Sequence, residues 1–147
     1  MMITAGWREF ADFPGWGLRR VRVKLDTGAR SAAVGVRYYE LFDAGSRPEV
    51  ELHFAPYRTH PERVFVILVP VVGFATVRSS SGETERRPVV EVEVRIGPVT
   101  KRVRATVADR SRMLVAVLLG RTALAPEFVI DPSRKYVLKH RATDEHG

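Results

Sequence analysis

The stretch VRVKLDTGA, residues 21–29, carries the clearest structural pattern in the sequence. Its first half alternates apolar Val21, Val23 and Leu25 with charged residues, and this period of two is typical of a strand with one buried face. Asp26-Thr27-Gly28-Ala29 follows directly. An acidic side chain therefore stands at a strand end, and Gly28 is predicted to permit a positive φ and a close approach of another backbone segment.

These four residues meet the requirements of an aspartic-peptidase loop, in which a carboxylate faces a cleft and the glycine backbone touches substrate. A plain Asp-Thr-Gly turn between two strands is the alternative, because short motifs occur by chance. A second element, VLLGRTAL at residues 117–124, reads as an apolar strand that ends in Gly120-Arg121 and enters a short helix. Alone, this second element is equally consistent with an ordinary strand-to-helix turn.

The rest of the chain predicts an all-β domain. Residues 50–54, 90–96 and 99–107 also alternate, and Gly97-Pro98 between the last two predicts a hairpin. The continuous apolar runs 64–72 and 113–119 are interpreted as strands buried on both faces or as interface strands. Residues 122–128 are predicted to form the single short helix, with Thr122 as its cap. We expect one domain over residues 1–138 and a polar tail over 139–147.

Composition narrows the possible chemistry. The 147 residues include no cysteine, which excludes a disulfide framework, a thiolate zinc site and a cysteine nucleophile. His53, His60, His140 and His146 do not form the His-Glu-x-x-His pattern of zinc peptidases, and the phosphate-loop pattern of many ATPases is absent. We therefore predict no metal and no cofactor. The start has no signal-peptide pattern and the apolar runs are short for a membrane span, so a cytoplasmic protein is expected.

The charge balance favours acidic partners. Lys and Arg total 24 against 17 Asp and Glu, and 20 of the 24 are arginine. Arginine binds carboxylates and phosphates through a planar fork, although codon bias also enriches it. A basic all-β nucleic-acid module is one alternative, favoured by the sequence pI of about 10.4 and by Lys101, Arg102 and Arg104. Aromatic residues are not interleaved with these bases, so nucleic acid is not the expected partner.

The sequence resembles a known family. Asp-Thr-Gly-Ala followed about 90 residues later by Leu-Leu-Gly-Arg is similar to the retropepsin arrangement. Residues 22–31, RVKLDTGARS, resemble the signature of the RimB-type retropepsin-like peptidases, which are associated with glutamate-adding ATP-grasp ligases and were once labelled ATP-dependent zinc proteases. Further matching stretches follow in the family's order and extend the resemblance over residues 6–138: GWRE (6–9), SSSG (79–82), RPVV (87–90), ADR (108–110), LLGR (118–121) and VIDPSR (129–134).

The resemblance implies a retropepsin-like acid-protease β-barrel with one short C-terminal helix, and an active-site framework supported by Gly120, Arg121 and Arg110. It implies that Asp26 is catalytic, that Thr27 braces two loops across an axis, and that Gly28 and Ala29 offer backbone groups to substrate. Residues 79–88 are predicted to form a flap, with an ordinary exposed hairpin loop as the alternative. Predicted contacts to a peptide or protein substrate, acidic or glutamylated, are Arg30, Ser80, Ser81, Gly82, Arg86 and Arg87.

One Asp-Thr-Gly per chain gives one catalytic carboxylate, whereas aspartic peptidases use two that share a proton. The sequence therefore predicts a homodimer in which each chain contributes Asp26. One departure from the family pattern stands out. The usual Ser-Ala-(Leu or Ile)-His-Ala is here Ser-Ala-Ala-Val-Gly at residues 31–35, without its histidine. The family as a whole differs from viral retropepsins, because Arg30 stands where those carry aspartate, so Arg121 needs another partner. A catalytically inactive binding or dimerisation module is the remaining alternative.

Overall fold

The computed structural model describes residues 2–45, 47–78, 80–109 and 115–138. Within these ranges the chain is almost entirely β-structure, with a 3-10 turn at Pro14–Trp16 and one short helix, α1 (Arg121–Leu124). The strands are β1 (Ile3–Gly6), β2 (Arg8–Phe13), β3 (Leu18–Leu25), β4 (Ala32–Val36), β5 (Tyr38–Ala44), β6 (Arg47–Phe54), β7 (Phe65–Pro70), β8 (Gly73–Arg78), β9 (Thr84–Ile96), β10 (Val99–Asp109), β11 (Val117–Leu119) and β12 (Phe128–Asp131).

Six strands close into a barrel. The order β10-β4-β11-β3-β2-β9 is completed by antiparallel pairing between β9 and β10, and β8 extends β9 beyond the ring. The parallel pairs β3–β11 and β4–β10 join segments that are far apart in sequence. β1 and β12 form a separate parallel pair. The predicted all-β barrel fold with one short helix near the C-terminus is confirmed.

The alternating residues fill the barrel. Val21, Val23 and Leu25 of β3 are buried, and the charged residues between them point outward. The alternating apolar residues of β9 are buried in the same way, and the predicted hairpin at Gly97 joins β9 to β10 in register. The period of two therefore correctly identified the inner face, because a strand of a closed barrel has one buried face and one solvent-exposed face.

The run 64–72 differs from its interpretation as a strand buried on both faces. Only residues 65–70 form β7, the edge of a three-stranded sheet β5-β6-β7 that is inserted between β4 and β8. Val69 is buried, but Val66 and Leu68 are 59% and 57% exposed. The residues that face the other way pack with Val50 and Leu52 of β6, so this sheet covers the core with one face only.

The predicted helix is shorter than expected. It ends at Leu124, and the next residue donates its backbone N–H to the carbonyl of Arg121. Pro126 lacks an amide donor and disfavours a helical conformation in the residue before it, so the helix cannot continue to Phe128. Met113 and Leu114 of the predicted strand lie outside the described residues, and β11 begins at Val117.

A buried carboxylate that the sequence analysis did not single out ties the two ends of the domain together. Glu9 is fully buried. Its Oε2 accepts the backbone N–H groups of Gly6 at 2.7 Å and Val137 at 2.9 Å, and its Oε1 accepts that of Leu138 at 3.2 Å. A buried carboxyl group is tolerated only when such hydrogen bonds replace those to water, so Glu9 fixes the C-terminal segment against β2.

We expect Glu9→Gln to lower the free energy of unfolding by about 1–3 kcal/mol, because the amide NH₂ would face backbone donors and leave buried N–H groups without acceptors. Glu40→Gln, at an exposed position on β5, is the matched control and should change stability by less than about 0.5 kcal/mol. Urea denaturation measures both. Equal stability of the two variants would show that the Glu9 hydrogen bonds contribute nothing specific.

Candidate active site

The fold brings the two sequence elements of the predicted site together. β3 and β11 are parallel neighbours, and Leu25 lies opposite Leu119. Where both strands end, the backbone N–H of Asp26 donates to the carbonyl of Leu119 at 2.9 Å. Segments separated by more than ninety residues thus form one structural unit, and Asp26 projects from its end.

The Asp26 loop is a tight turn held by its own carboxylate. The N–H of Gly28 donates to Asp26 Oδ1 at 2.9 Å, and the N–H of Ala29 donates to the Asp26 carbonyl at 3.2 Å. The Asp26 side chain remains 30% exposed. One carboxylate oxygen is therefore anchored, while the group as a whole stays accessible to a reactant.

Gly28 suits its position for a different reason from the one predicted. Its φ is not in the left-handed region. A Cβ built on Gly28 would instead lie 3.1 Å from Asp26 Oδ1, so a side chain there would crowd the hydrogen bond that orients the carboxylate. The space around the aspartate oxygen, rather than backbone conformation, makes glycine the suitable residue.

Lys24 is a site residue that the sequence analysis missed. Its Nζ is 3.8 Å from Asp26 Oδ2, and its side chain is 39% exposed. The signal was present in the alternation, because residues two apart on a strand share a face. The pair places a positive charge next to the candidate catalytic carboxylate on the accessible side.

The Gly120-Arg121 element packs directly against this loop. The backbone N–H of Arg121 donates to the Ala29 carbonyl at 2.8 Å, and that of Thr122 donates to the Arg30 carbonyl at 3.0 Å. Gly120 allows this approach, since a Cβ there would lie 2.6 Å from the Ser31 carbonyl oxygen. The first turn of α1 is thereby attached to the segment that follows Asp26.

Arg121 finds its partner within the loop. Its Nη1 donates to the Thr27 carbonyl at 2.9 Å, and its side chain is otherwise exposed. This contact takes the place of the aspartate–arginine brace that the viral enzymes have and this chain lacks. Arg121 therefore supports the loop by binding backbone rather than a carboxylate.

The position of the missing family histidine lies in the core. Val34 occupies it on β4, is fully buried and pairs with Val117 of β11. A side chain that points into the barrel does not reach an exposed cleft. In this chain residue 34 contributes packing beneath the site.

Other predicted site residues lie on the hairpin β8–β9. Ser80, Ser81 and Gly82 are exposed in its turn, and Gly82 has a left-handed φ of 88°. The guanidinium of Arg86 covers the ring of Phe74 at 4.1 Å. Arg87, which is also predicted to contact substrate, donates to Glu85 at 3.0 Å and has a buried Nε for which the described residues supply no acceptor.

The other predicted residues fall in two places. Arg30 is exposed between the Asp26 loop and β4. Arg110 lies outside the described residues. Within the described ranges, no group of three or more His, Asp or Glu side chains is placed to hold a metal ion. No helix in the described part of the chain has the length and apolar character needed to cross a bilayer.

Comparison with known proteins agrees with this geometry. The family profile described as "Retropepsin-like aspartic endopeptidase RimB" matches residues 4–141. The chain belongs to the RimB-like family. The resemblance of the sequence motifs and the retropepsin-like fold are thereby confirmed.

Curated relatives of this RimB-like chain are longer proteins. A protein of Shewanella pealeana named probable alpha-L-glutamate ligase is 27% identical over 133 residues, which are 90% of this chain and 29% of that protein. A protein of the same name from Desulfotalea psychrophila is 25% identical over 142 residues, 97% of this chain and 31% of that one. The chain thus spans less than a third of the length of these relatives.

A solved structure shares the RimB-like fold. The crystal structure of a Legionella pneumophila protein of unknown function has a TM-score of 0.74 and 24% identity, with 92% of this chain and 98% of that chain covered. The strand arrangement described above is therefore found in an independent member of this fold.

Proposed function

We propose that this RimB-like chain is an aspartic endopeptidase that acts as a homodimer, with Asp26 from each chain as the catalytic pair. The observation that supports this is the accessible carboxylate at the end of β3, oriented by the Gly28 N–H and backed by the Gly120-Arg121 element. The arrangement holds one acid in a fixed, partly exposed position. It gives a single chain half of the required chemistry.

In the proposed mechanism the two Asp26 carboxylates share one proton, because two ionised carboxylates next to each other repel strongly. The ionised carboxylate removes a proton from water as the water attacks the scissile carbonyl carbon. The protonated carboxylic acid donates a hydrogen bond to the carbonyl oxygen. Collapse of the tetrahedral intermediate then breaks the C–N bond as the nitrogen takes up a proton.

Substrate binding is proposed to use both the loop and the hairpin. Thr27 would brace the two loops across the dimer axis, and Gly28 and Ala29 would offer backbone groups to an extended peptide. The β8–β9 hairpin would close as a flap and bring Ser80, Ser81 and Gly82 to the substrate backbone. Arg30, Arg86 and Arg87 would contact acidic side chains, and Arg87 would then exchange its contact with Glu85 for the substrate.

The proposed substrate class is acidic or glutamylated peptide. Its support is the arginine-rich composition, the Lys24 ammonium beside Asp26, and the relatives named probable alpha-L-glutamate ligase. A cation within 4 Å of the catalytic carboxylate would favour an acidic residue next to the scissile bond.

Two measurements on the purified chain test the proposal. Sedimentation equilibrium is expected to show a dimer, and a peptide library should be cleaved with preference for acidic residues and with no loss of activity in EDTA. A strictly monomeric chain that cleaves nothing would contradict the homodimeric peptidase. Cleavage that EDTA abolishes would replace it with a metal-dependent enzyme.

A further inference from the structure

A strongly cationic cavity lies on the outer side of β2 and β3. Its volume is about 450 Å³, within the range of ordinary ligand sites, and no acidic residue is among the described residues that line it. His60, at its edge, is 3.4 Å from Glu62. The cavity collects arginines from three separate stretches of sequence: Arg8, Arg19, Arg20, Arg22, Arg58 and Arg63. So many like charges repel one another unless an anion lies among them.

The backbone at this cavity is strained in a way that fixes one of the arginines. Arg20 has a left-handed φ of 54°, which is unfavourable for a side chain of this size, next to a bulge in the β2–β3 pairing. Buried Asp12 accepts the Arg20 N–H at 2.8 Å through Oδ1, while Oδ2 binds Arg95 at 2.8 Å. Bulges and strained residues held by their surroundings are common at binding sites, where they direct a side chain.

The aromatic rings of the cavity are already occupied. Phe10 stacks on Tyr136 at 4.6 Å and is covered by the Arg20 guanidinium at 4.4 Å. The Tyr57 hydroxyl donates to the Arg19 carbonyl, and Arg63 lies 4.9 Å from its ring centre. Single-stranded nucleic acids need open rings on which bases stack. The cavity therefore suits a ligand that is recognised by its negative charges alone.

Cations on β3 lead from the cavity toward the Asp26 site. Arg20, Arg22 and Lys24 follow one another on the outer face of β3, about 7 Å apart, and Arg8 pairs in register with Lys24. Lys24 in turn contacts Asp26. Arg8 also has a buried Nε for which the described residues provide no acceptor. A row of cations thus runs from the cavity to the candidate catalytic carboxylate.

We propose that this arginine cavity binds an acidic peptide segment, whose carboxylates contact Arg8, Arg20 and Arg22 while the chain continues along β3 toward Asp26. Its role in delivering substrate rests on the proposed peptidase function. Binding itself requires only the cavity, so the two can be tested separately.

The test measures fluorescence anisotropy of a labelled eight-residue peptide of alternating Asp and Glu, titrated with the full-length Asp26→Asn chain so that no cleavage intervenes. A peptide of alternating Asn and Gln controls for charge. The double variant Arg20→Gln/Arg22→Gln removes two cavity cations. Arg102→Gln/Arg104→Gln removes the same charge from exposed side chains of β10 and is the matched control. Thermal melts establish that both variants are folded.

We expect the acidic peptide to bind and the neutral one not to bind. The cavity variant should weaken binding at least about tenfold, since charge-assisted arginine contacts are strong, whereas the control variant should weaken it less than about threefold. Equal weakening by both variants, or no binding of the acidic peptide, overturns the proposal. Tighter binding of an eight-nucleotide RNA with the same dependence on Arg20 and Arg22 would assign the cavity to nucleic acid instead. Peptide binding without cleavage by the wild-type chain would retain the cavity and reject the peptidase.

Discussion

Asp26→Asn is expected to reduce peptide hydrolysis by at least about 10³-fold without unfolding the domain, because it removes the acid–base group from both halves of the proposed dimer. Asparagine has the same shape, and its carbonyl oxygen can still accept the Gly28 N–H that Asp26 Oδ1 accepts at 2.9 Å. The lost contact with Lys24 is partly exposed and contributes at most about 1 kcal/mol. The loss of activity would therefore report chemistry rather than stability.

The matched control for this variant is Asp43→Asn, an exposed aspartate on β5. It should retain activity and melting temperature. Activity within about tenfold of wild type in Asp26→Asn would contradict the assignment of Asp26 as the catalytic group. Mixed dimers of wild-type and variant chains give a sharper test, because each active site needs the Asp26 carboxylates of both chains. An equal amount of Asp26→Asn chain, added under conditions of subunit exchange, should lower wild-type activity to about one half.

Gly120→Ala is expected to lower the free energy of unfolding by about 3 kcal/mol and to reduce activity with it. The new Cβ would lie 2.6 Å from the Ser31 carbonyl oxygen and 2.8 Å from that of Ala29. Both are backbone atoms, so relief requires movement of the loop. That movement would break the hydrogen bond from the Arg121 N–H to Ala29, which holds the Asp26 segment against α1.

For a domain of this size the destabilisation corresponds to a decrease in Tm of roughly 10 °C, which calorimetry or circular dichroism measures. Gly73→Ala is the control, because open space surrounds the Cβ position at Gly73 and its φ is not left-handed. It should shift Tm by no more than about 2 °C. If the two variants had the same Tm, the close packing of Gly120 against the loop would not contribute to stability.

The sequence predicted those features that depend on short-range chemistry. Alternation identified the inner faces of β3, β9 and β10, because burial on one side of a strand selects apolar residues at every second position. Pro126 bounds the helix, although the prediction extended past it. The surroundings of residues 64–72 could not be predicted, since Val66 and Leu68 are exposed because they lie on the face of an added sheet that points away from the core.

For the site, the sequence identified Asp26 and Gly120-Arg121 as separate motifs, and the resemblance linked them. It did not reveal the Arg121 contact with the Thr27 carbonyl. Every residue has a backbone carbonyl, so the sequence does not indicate which one accepts a hydrogen bond. It also missed Glu9, whose partners at Gly6 and Val137 lie at opposite ends of the chain. A charge pattern alone did not distinguish solvated arginines from those that gather around one cavity.

The sequence shows directly which positions face the core and where a carboxylate follows a strand. Both features depend only on the alternation, size and charge of side chains that are close neighbours in the chain. The folded structure is needed to see that β3 and β11 lie side by side, that Gly120 touches the Asp26 loop, and that arginines from distant segments share one cavity. Such contacts depend on how the barrel closes, and closure is set by the packing of all its strands together.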